Sequence, residues 1–342
     1  MAWQELYDTA RAIVAENKGI LAADESTGTI KKRFDAIGVD STEESRRSYR
    51  NLLFTTAGLE ESIGGVILYD ETIRQRSDDG TPFAELLASR GVIPGIKVDT
   101  GAKPLALHPG ETVTEGLDGL RERLTEYYEL GARFAKWRAV ITIGDGIPTG
   151  ACIDANAHAL ARYAALCQEA GLVPIVEPEV LMDSDHTIET CDDVTGSVLR
   201  AVYAALLAHD DVHVRGTLLK PNMVIAGQGC PAQASPERIA ELTVHNFLRH
   251  VPALAPGIVF LSGGQSEVQA TENLNAINRL GGPWPLSFSY GRALQASTLE
   301  TWRGDPANVE AAQAAFLHRA RMNSLAAAGE WSAEVEETVA AA

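Results

Sequence analysis

Eight short apolar runs, separated by stretches long enough for a helix, constrain the fold of this chain more than any other feature of its sequence. Most of the runs are continuously apolar rather than alternating, which is typical of parallel strands covered on their outer face. The runs are GILAADES (19–26), GGVILYDE (64–71), IPGIKVD (93–99), ARFAKWRAVITI (132–143), VPIVEPEVL (173–181), GTLLKPNMV (216–224), GIVFLSGG (257–264) and WPLSFSYGR (284–292).

The stretches between these runs carry the start signals of helices. Ser41 and Glu44 fit a capping box, and Ser235 followed by Pro236 fits an N-cap with proline at the first helical position. Strands that alternate with helices in this way predict an α/β chain that closes into a (β/α)₈ TIM barrel. An open doubly wound sheet is the alternative architecture.

We predict a single barrel domain over residues 1–329, with the first helix as an N-terminal extension. The segment 330–342 is rich in acidic residues and alanine and contains no basic residue. This composition predicts a mobile C-terminal tail or a frayed helix.

Composition excludes several classes of function. The net charge of −17 repels phosphate backbones and acidic lipid surfaces, so we expect neither nucleic-acid nor membrane binding. No run of eighteen apolar residues occurs, and the N-terminus reads as an amphipathic helix without a basic leader, which favours a cytoplasmic location. The four cysteines form no CxxC pair, so we expect reduced thiols.

Charged side chains collect at the C-terminal ends of the apolar runs, which is the end where barrels build active sites. Residues two apart on a strand share a face, so three of the runs present same-face pairs. Each such charge taken alone is explained by a salt bridge or by exposure to solvent. Six strands with charges at one end indicate a functional site instead. The residues are Asp24, Lys97, Asp99, Lys136, Arg138, Glu177, Glu179, Lys220 and Arg292.

Lys220 is the most informative of these residues because it interrupts the apolar run TLLKPNMV. Burial of an ammonium group favours its neutral form, and a second cation such as Lys136 favours it further. A neutral lysine amine is the nucleophile that forms an imine with a carbonyl substrate. The alternative is a lysine that stays ion-paired to Glu177 or Glu179.

Imine chemistry also needs groups that move protons. Glu177 or Glu179 suits that role, particularly where burial strengthens the hold of the carboxyl group on its proton. Asp24 is a candidate to accept the proton of a hydroxyl whose carbon–carbon bond is breaking.

Small residues after the seventh and eighth runs predict a phosphate site. Ser262 and Gly263 precede one helical pattern, and Gly291 and Arg292 precede the next. Backbone N–H groups at helix N-termini bind phosphate, and these are the two loops that barrels commonly use for it. Lys97 is a further source of positive charge. The string LSGGQ (261–265) also occurs in ABC-type ATPases, but the chain has no GxxxxGK[ST] phosphate loop.

Two other patterns do not support a site. GQGCPA (227–232) matches part of a dinucleotide fingerprint but has no βαβ unit around it, and His209 and His213 are better explained by a solvated turn than by a metal site. The chain also lacks an HExxH motif, so we expect no metal and no cofactor.

Nine segments, in their order along the chain, resemble class I fructose-1,6-bisphosphate aldolases of the animal and plant type. The segments lie between residues 19 and 295, and the resemblance as a whole runs from about residue 11 to residue 329, which is nearly the whole sequence. The segments are GILAADESTGTIKKR, GGVILYDET, GIKVDTG, FAKWR, VPIVEPEVL, GTLLKPNMV, FLSGGQSE, NLNAIN and FSYGRALQ.

The resemblance implies a barrel that reversibly cleaves fructose 1,6-bisphosphate to dihydroxyacetone phosphate and glyceraldehyde 3-phosphate without a metal. It implies that Lys220 forms the Schiff base, Glu177 is the general acid/base, Glu179 bonds near the imine, Lys136 tunes the charge and Asp24 handles the C4 hydroxyl. It also implies two phosphate-binding groups. The first is Ser262, Gly263, Gly291 and Arg292, for the C1 phosphate. The second is Ser26, Lys97 and Arg138, for the sugar hydroxyls and the other phosphate, with Arg33 also near.

The resemblance further implies a homo-oligomer, typically a tetramer. Many members end in a tyrosine that assists proton exchange, whereas this sequence ends at Ala342 and its last tyrosine is Tyr290. We therefore expect slower proton exchange at the three-carbon imine. Two other functions stay open: a related imine-forming lyase, transaldolase-like or preferring sedoheptulose 1,7-bisphosphate, and a phosphate-binding scaffold barrel.

Overall fold

The computed structural model describes residues 3–340, and its centre is a closed barrel of eight parallel strands. Each predicted apolar run contributes one strand, so the predicted (β/α)₈ barrel is confirmed and the open sheet is wrong. Neighbours around the barrel follow the order β1, β2, β3, β6, β7, β8, β9 and β10. The strands are β1 (Gly19–Ala22), β2 (Ile63–Leu68), β3 (Ile93–Lys97), β6 (Phe134–Ile141), β7 (Val173–Val180), β8 (Leu218–Leu219), β9 (Ile258–Phe260) and β10 (Leu286–Tyr290).

A small antiparallel hairpin, β4 (Ala102–Pro104) with β5 (Thr112–Thr114), lies between β3 and the next helix. The helices cover the outside of the barrel and one of its ends. They are α1 (Trp3–Ile13), α2 (Thr27–Ala36), α3 (Glu43–Thr55), α4 (Leu59–Ser62), α5 (Asp70–Ile73), α6 (Phe83–Ser89), α7 (Leu120–Glu129), α8 (Gly150–Glu169), α9 (Ile188–Ala208), α10 (Pro236–His250), α11 (Glu267–Leu280), α12 (Arg292–Trp302), α13 (Val309–Ala327) and α14 (Ala333–Ala340).

Helix α1 closes the N-terminal end of the barrel. Its apolar face is buried against side chains that point into the barrel from the first residues of the strands. Burial inside the domain therefore explains the amphipathic pattern of this segment, because the apolar face of α1 covers the N-terminal end of the barrel. The helix contributes Leu6, Ala10 and Ile13 to this cluster, and the strands contribute Ile20, Ile67, Phe134, Val173, Ile175, Leu218 and Val259.

The structure contradicts the cap predicted for one helix and confirms the cap predicted for another. Helix α3 is capped by Thr42, whose side chain accepts from the Ser45 amide, so the box predicted for Ser41 and Glu44 is displaced by one residue. Both pairs have the required spacing, and the backbone of the preceding turn decides between them. Ser235 caps α10 as predicted, with Pro236 in the first turn.

The segment predicted as a C-terminal tail contains helix α14. Trp331 before this helix is buried, and its indole N–H donates to Glu336 at 2.8 Å. Glu336 also binds Arg319 of α13. The division of the chain at residue 330 stays a prediction, and the terminal Ala341 and Ala342 lie outside the described residues. Within residues 3–340, no helix is long and apolar enough to cross a membrane.

Candidate active site

Along three neighbouring strands the inward-facing side chains change from apolar to charged within two residues. On β6 the change is from Phe134 to Lys136, and on β7 it is from Ile175 to Glu177. Leu218 of β8 is followed by Lys220 in the same way. Because side chains on a strand alternate between two faces, each pair points to the barrel interior, with the charged member nearer the C-terminal end.

Four of the predicted residues form one buried chain of ion pairs. The Lys220 Nζ lies 3.1 Å from the Glu177 Oε1, and the Lys136 Nζ lies 3.4 Å from the Glu177 Oε2. The Lys136 Nζ also lies 2.7 Å from the Asp24 Oδ2. The side chains of Lys136, Glu177 and Lys220 are only 4–5% exposed. The ion pair that the alternative interpretation expected for Lys220 is therefore present, and its partner is Glu177.

The carboxyl groups of this chain are held in their ionised form. Burial by itself raises the pKa of Glu177, but the charges of Lys220, Lys136 and Arg138 outweigh burial and lower it. The pKa of Asp24 is also lowered, because Lys136, Lys220 and Lys97 outweigh its burial. The condition that would have favoured Glu177 most, a pKa raised by burial, is therefore not met, because the neighbouring cations outweigh burial.

Lys136 stays protonated for the converse reason. Burial lowers the pKa of its ammonium group, but Asp24, Glu177 and Asp99 together raise it above the ordinary lysine value. Lys136 is therefore a fixed positive charge between two carboxylates, and it contacts the same carboxyl group as Lys220.

A second group of ion pairs lies beside the first. Arg138 binds Glu179, and the backbone N–H of Arg138 donates to the Asp99 Oδ2 at 3.3 Å. The Lys97 Nζ lies 3.7 Å from the Asp99 Oδ1, and Lys136 lies 3.9 Å from the other oxygen of that carboxyl group. Arg138 is 42% exposed, so this group leads from the buried chain of ion pairs to the mouth of the barrel.

The loops after β9 and β10 meet at the opposite side of the mouth. Gly263 has a φ of +59°, a conformation that glycine adopts without strain, and its carbonyl oxygen accepts a hydrogen bond from Arg292. Helix α12 begins at Arg292 directly after Gly291 and has no side-chain cap, so its first amides stay available to a ligand. Ser262 is buried between these elements and the strands.

Helix α11 does not contribute its N-terminus in the way that the sequence suggested. It begins only at Glu267, and a capping box between Ser266 and Gln269 occupies the backbone N–H groups of those two residues. The turn Ser262–Gly264 therefore lies in the loop before the cap, and any anion it binds meets loop amides rather than the first turn of α11.

A single cleft of about 540 Å³ at the C-terminal end of the barrel brings all of these residues together. Every predicted catalytic and substrate-binding residue lines it. Those residues are Asp24, Ser26, Arg33, Lys97, Lys136, Arg138, Glu177, Glu179, Lys220, Ser262, Gly263, Gly291 and Arg292. A cleft with cations around its mouth and ion-paired lysines at its floor suits a substrate with an anionic group and a carbonyl carbon.

Comparison with known proteins agrees with this chemistry. A family model described as fructose-bisphosphate aldolase class-I matches residues 5–342. The chain belongs to this aldolase family.

Individual relatives are similar over nearly their full length. A probable fructose-bisphosphate aldolase class 1 of Xanthomonas campestris pv. campestris is 60% identical, with 97% of this chain and 99% of the relative covered. A fructose-bisphosphate aldolase of Dictyostelium discoideum is 56% identical, with 96% and 93% covered. A solved structure of the Plasmodium falciparum aldolase, in complex with TRAP and a small-molecule inhibitor, has a TM-score of 0.94 at 53% identity and covers 96% of this chain and 95% of that one.

The aldolase site includes a support that the sequence analysis missed. Glu25 is buried behind Arg33 and binds both Arg33 and the buried Arg50 of α3. The Gln295 Nε2 of α12 donates to the Glu25 Oε1 at 3.1 Å and to the Ala22 carbonyl oxygen at 2.9 Å. The Arg33 guanidinium is thereby fixed beside Gly291, where an added Cβ would lie 3.5 Å from its Nη2.

Two further polar residues line the cleft of this aldolase. Ser289 is buried at the end of β10, and its Oγ finds no hydrogen-bond partner within residues 3–340. Lys32 adds a cation on α2, and Ser26 lies at the N-cap of that helix with its Oγ 3.1 Å from the Thr29 Oγ1. Ser289 was detectable from the sequence, because it lies two residues before Gly291 on an alternating strand.

Within residues 3–340, no group of three or more His, Cys, Asp and Glu side chains is arranged to hold a metal ion. His209 and His213, the two histidines considered as a metal site, lie away from the cleft. His213 stacks on Trp3 and lies 2.5 Å from the Tyr7 hydroxyl, so it holds α1 to the barrel.

Proposed function

We propose that this chain cleaves fructose 1,6-bisphosphate reversibly to dihydroxyacetone phosphate and glyceraldehyde 3-phosphate through an imine on Lys220. The observation that carries the proposal is the buried contact of 3.1 Å between the Lys220 Nζ and the Glu177 Oε1. A buried amine needs a neighbouring group that takes its proton before it attacks a carbonyl carbon, and this carboxylate is within reach.

Imine formation then follows from the ion-pair geometry. Glu177 accepts a proton from the Lys220 ammonium, and the neutral amine attacks the C2 carbonyl carbon of the sugar. The carbinolamine hydroxyl leaves as water when Glu177 returns the proton. Lys136 orients the carboxylate for this transfer, because its Nζ lies 3.4 Å from the Glu177 Oε2 while the Lys220 Nζ lies 3.1 Å from the Glu177 Oε1. Glu179 binds Arg138 and lines the same cleft as Lys220, which makes it the candidate to hydrogen-bond the developing imine.

Carbon–carbon cleavage needs a base for the C4 hydroxyl, and Asp24 is the candidate. Its lowered pKa keeps the carboxylate ionised at neutral pH. The contact of 2.7 Å between the Asp24 Oδ2 and the Lys136 Nζ holds the carboxylate in position. The Lys136 ammonium group is thus beside the carboxylate when Asp24 accepts the proton. The electrons of the breaking C3–C4 bond pass to the protonated imine, which is the electron sink that this chemistry requires.

The two phosphates have cationic partners at opposite sides of the cleft. Ser262, Gly263, Gly291 and Arg292 surround one position, with Arg33 fixed beside Gly291. Those groups suit the C1 phosphate, since free loop amides and an uncapped helix start bind a dianion.

The other phosphate and the sugar hydroxyls have Lys97, Arg138 and Ser26 as candidate partners. Arg138 is the most exposed of these cations, which suits a phosphate at the far end of an extended chain.

Turnover assays with two substrates, fructose 1,6-bisphosphate and sedoheptulose 1,7-bisphosphate, test this proposal. Purified protein is mixed with fructose 1,6-bisphosphate, and both three-carbon products are measured by enzymatic coupling, with Lys220→Met as the inactive control. Equal product amounts that depend on Lys220 support the proposal. Turnover of sedoheptulose 1,7-bisphosphate in preference would favour the related lyase, and binding without turnover would favour the scaffold barrel.

We further propose a homo-oligomer, typically a tetramer, that acts in the cytoplasm. Support comes from the family resemblance and from the acidic composition of the chain. Light scattering on the purified protein measures the subunit number, and a monomer at micromolar concentration would contradict it.

A further inference from the structure

The phosphate loop Ser262–Gly264 rests on two side chains from neighbouring loops. The backbone N–H of Gly264 donates to the Met182 Sδ at 2.8 Å, and the Gln228 Nε2 donates to the Gly264 carbonyl oxygen at 3.1 Å. The two supports are joined, because the Gln228 N–H donates to the Met182 carbonyl oxygen at 2.8 Å. The segment GQGCPA, which resembled part of a nucleotide fingerprint, thus supports the phosphate loop.

Both side chains lie directly against the two glycines. A Cβ on Gly263 would lie 2.9 Å from the Met182 Sδ, and a Cβ on Gly264 would lie 2.0 Å from the Gln228 Nε2. The loop backbone is therefore in contact with the ends of both side chains. An oxygen added to the sulfur on the side that faces the loop would compete for the position of the Gly264 N–H.

We infer that Met182 positions the phosphate loop and is a site of reversible oxidation by hydroperoxides, which lowers the affinity for the sugar phosphate. The inference rests on the proposed function of this loop. Met182 is not a catalytic residue, since it acts on the substrate only through the backbone of Gly263 and Gly264.

Exposure makes Met182 the preferred target. Of the methionines within residues 3–340, Met223 and Met322 are buried at 0% and 1%, whereas Met182 is partly exposed. All four cysteines are buried. Burial also raises the pKa of the Cys152 thiol to about 11, so it is protonated and unreactive at neutral pH. A small hydroperoxide therefore meets the Met182 sulfur first.

The oxidation balances as a two-electron transfer. A lone pair of the Met182 sulfur attacks the outer oxygen of the hydroperoxide, an S–O bond forms and the O–O bond breaks. The proton of the hydroperoxide ends on the leaving oxygen, so the peroxide is reduced to an alcohol, or to water in the case of hydrogen peroxide. The sulfur becomes a sulfoxide.

Either position of the new oxygen removes the Gly264 contact. An oxygen on the lone pair that faces Gly264 cannot fit within 2.8 Å, so the amide must retreat. An oxygen on the other lone pair leaves an electron-poor sulfur that no longer accepts from the N–H. Both outcomes displace the loop amides from the phosphate, and the chemistry at Lys220 is untouched.

The experiment oxidises the full-length protein with a small excess of hydrogen peroxide and maps the sulfoxides by peptide mass spectrometry. We expect the KM for fructose 1,6-bisphosphate to rise about 3- to 10-fold with unchanged kcat, as for the loss of one hydrogen bond. Methionine sulfoxide reductase should restore the original KM. The variant Met182→Gln, with an amide oxygen near the sulfoxide position, should show the higher KM without treatment.

Control variants separate this site from general damage. Met182→Leu should no longer respond to peroxide, whereas Met322→Leu should respond as the wild type does. An unchanged KM in protein fully oxidised at Met182, or a fall in kcat alone, would overturn the inference. Met182→Leu has a raised KM before treatment, because leucine cannot accept from the Gly264 N–H. A further rise of its KM on peroxide treatment would overturn the inference as well. Failure of the proposed function is distinct, because untreated protein would then show no turnover at all.

Discussion

The two ends of the barrel interior are built by the same strands and have opposite chemistry. At the N-terminal end Phe134, Ile175 and Leu218 form a dry cluster with the apolar face of α1. Two residues further along the same strands, Lys136, Glu177 and Lys220 form a buried network of ion pairs. Stability and chemistry are therefore separated along the barrel axis, and the alternation of a β-strand is enough to separate them.

The two ends also differ in what they contribute to folding. Buried aliphatic and aromatic surface stabilises the fold in proportion to its area, about 25 cal/mol per Å². Buried charges cost desolvation energy that their mutual attraction roughly offsets, so a charged end adds little net stability while it is complete. The charged end becomes strongly destabilising when one member of an ion pair is removed, because the other member is left as an unpaired buried charge. Substitutions at the two ends should therefore separate activity from stability.

The largest expected effect is on kcat at the charged end. Lys220→Met removes the nucleophile and replaces it with an uncharged chain of similar length, so kcat should fall about 10⁴-fold or more, as for loss of other covalent nucleophiles. Steady-state kinetics measure it, and circular dichroism checks the fold. Retention of a tenth of the activity would exclude Lys220 as the nucleophile.

Lys136→Met should give the largest loss of stability. It leaves Asp24 and Glu177 as buried carboxylates without their shared cation, so the free energy of unfolding should fall by about 3–5 kcal/mol. Urea unfolding at neutral pH measures the change. The double variant with Asp24→Asn should recover part of the loss, and a stability equal to that of the wild type would show that Lys136 is not the shared partner.

Ile13→Ala tests the apolar end of the comparison. Ile13 is fully buried between α1 and the bottom of the barrel, so the variant should lose about 2–5 kcal/mol of unfolding free energy. Its kcat and KM should match those of the wild type, because the substituted side chain belongs to the cluster at the other end. A large change in kcat would mean that the two ends are coupled.

Ser262→Asp is expected to have the smallest effect. It adds a negative charge to the phosphate loop without touching the ion pairs below, so KM should rise about 10- to 100-fold while the thermal midpoint stays close to that of the wild type. Ser262→Ala is the matched control for loss of the hydroxyl alone. An unchanged KM in the aspartate variant would mean that the phosphate binds elsewhere.

Part of this site could be predicted from the sequence, because the position of a side chain along a strand and the face it occupies follow from neighbouring residues in the chain. Lys136, Glu177 and Lys220 lie at the ends of apolar runs, and a period of two places them on the inner face. The support of Arg33 by Glu25 and Arg50 could not, since it depends on how α3 packs against the loop after β1. The direction of the Glu177 pKa shift could not be predicted for a similar reason, because it depends on which cations surround the carboxyl group.

The start points of two helices could not be predicted from the sequence either. Thr42 rather than Ser41 caps α3, and α11 begins only after its cap at Ser266, so the phosphate loop at Ser262 lies before the helix. The path of the incoming backbone decides where each helix begins.

Trapping the imine tests the central claim most directly. The protein is reduced with borohydride in the presence of dihydroxyacetone phosphate, digested and mapped by mass spectrometry, with Lys220→Met and a sample without substrate as controls. We predict one stoichiometric adduct, on the peptide that contains Lys220, and loss of activity in proportion to labelling. An adduct on Lys136 instead, or the absence of any adduct in active protein, would contradict the account.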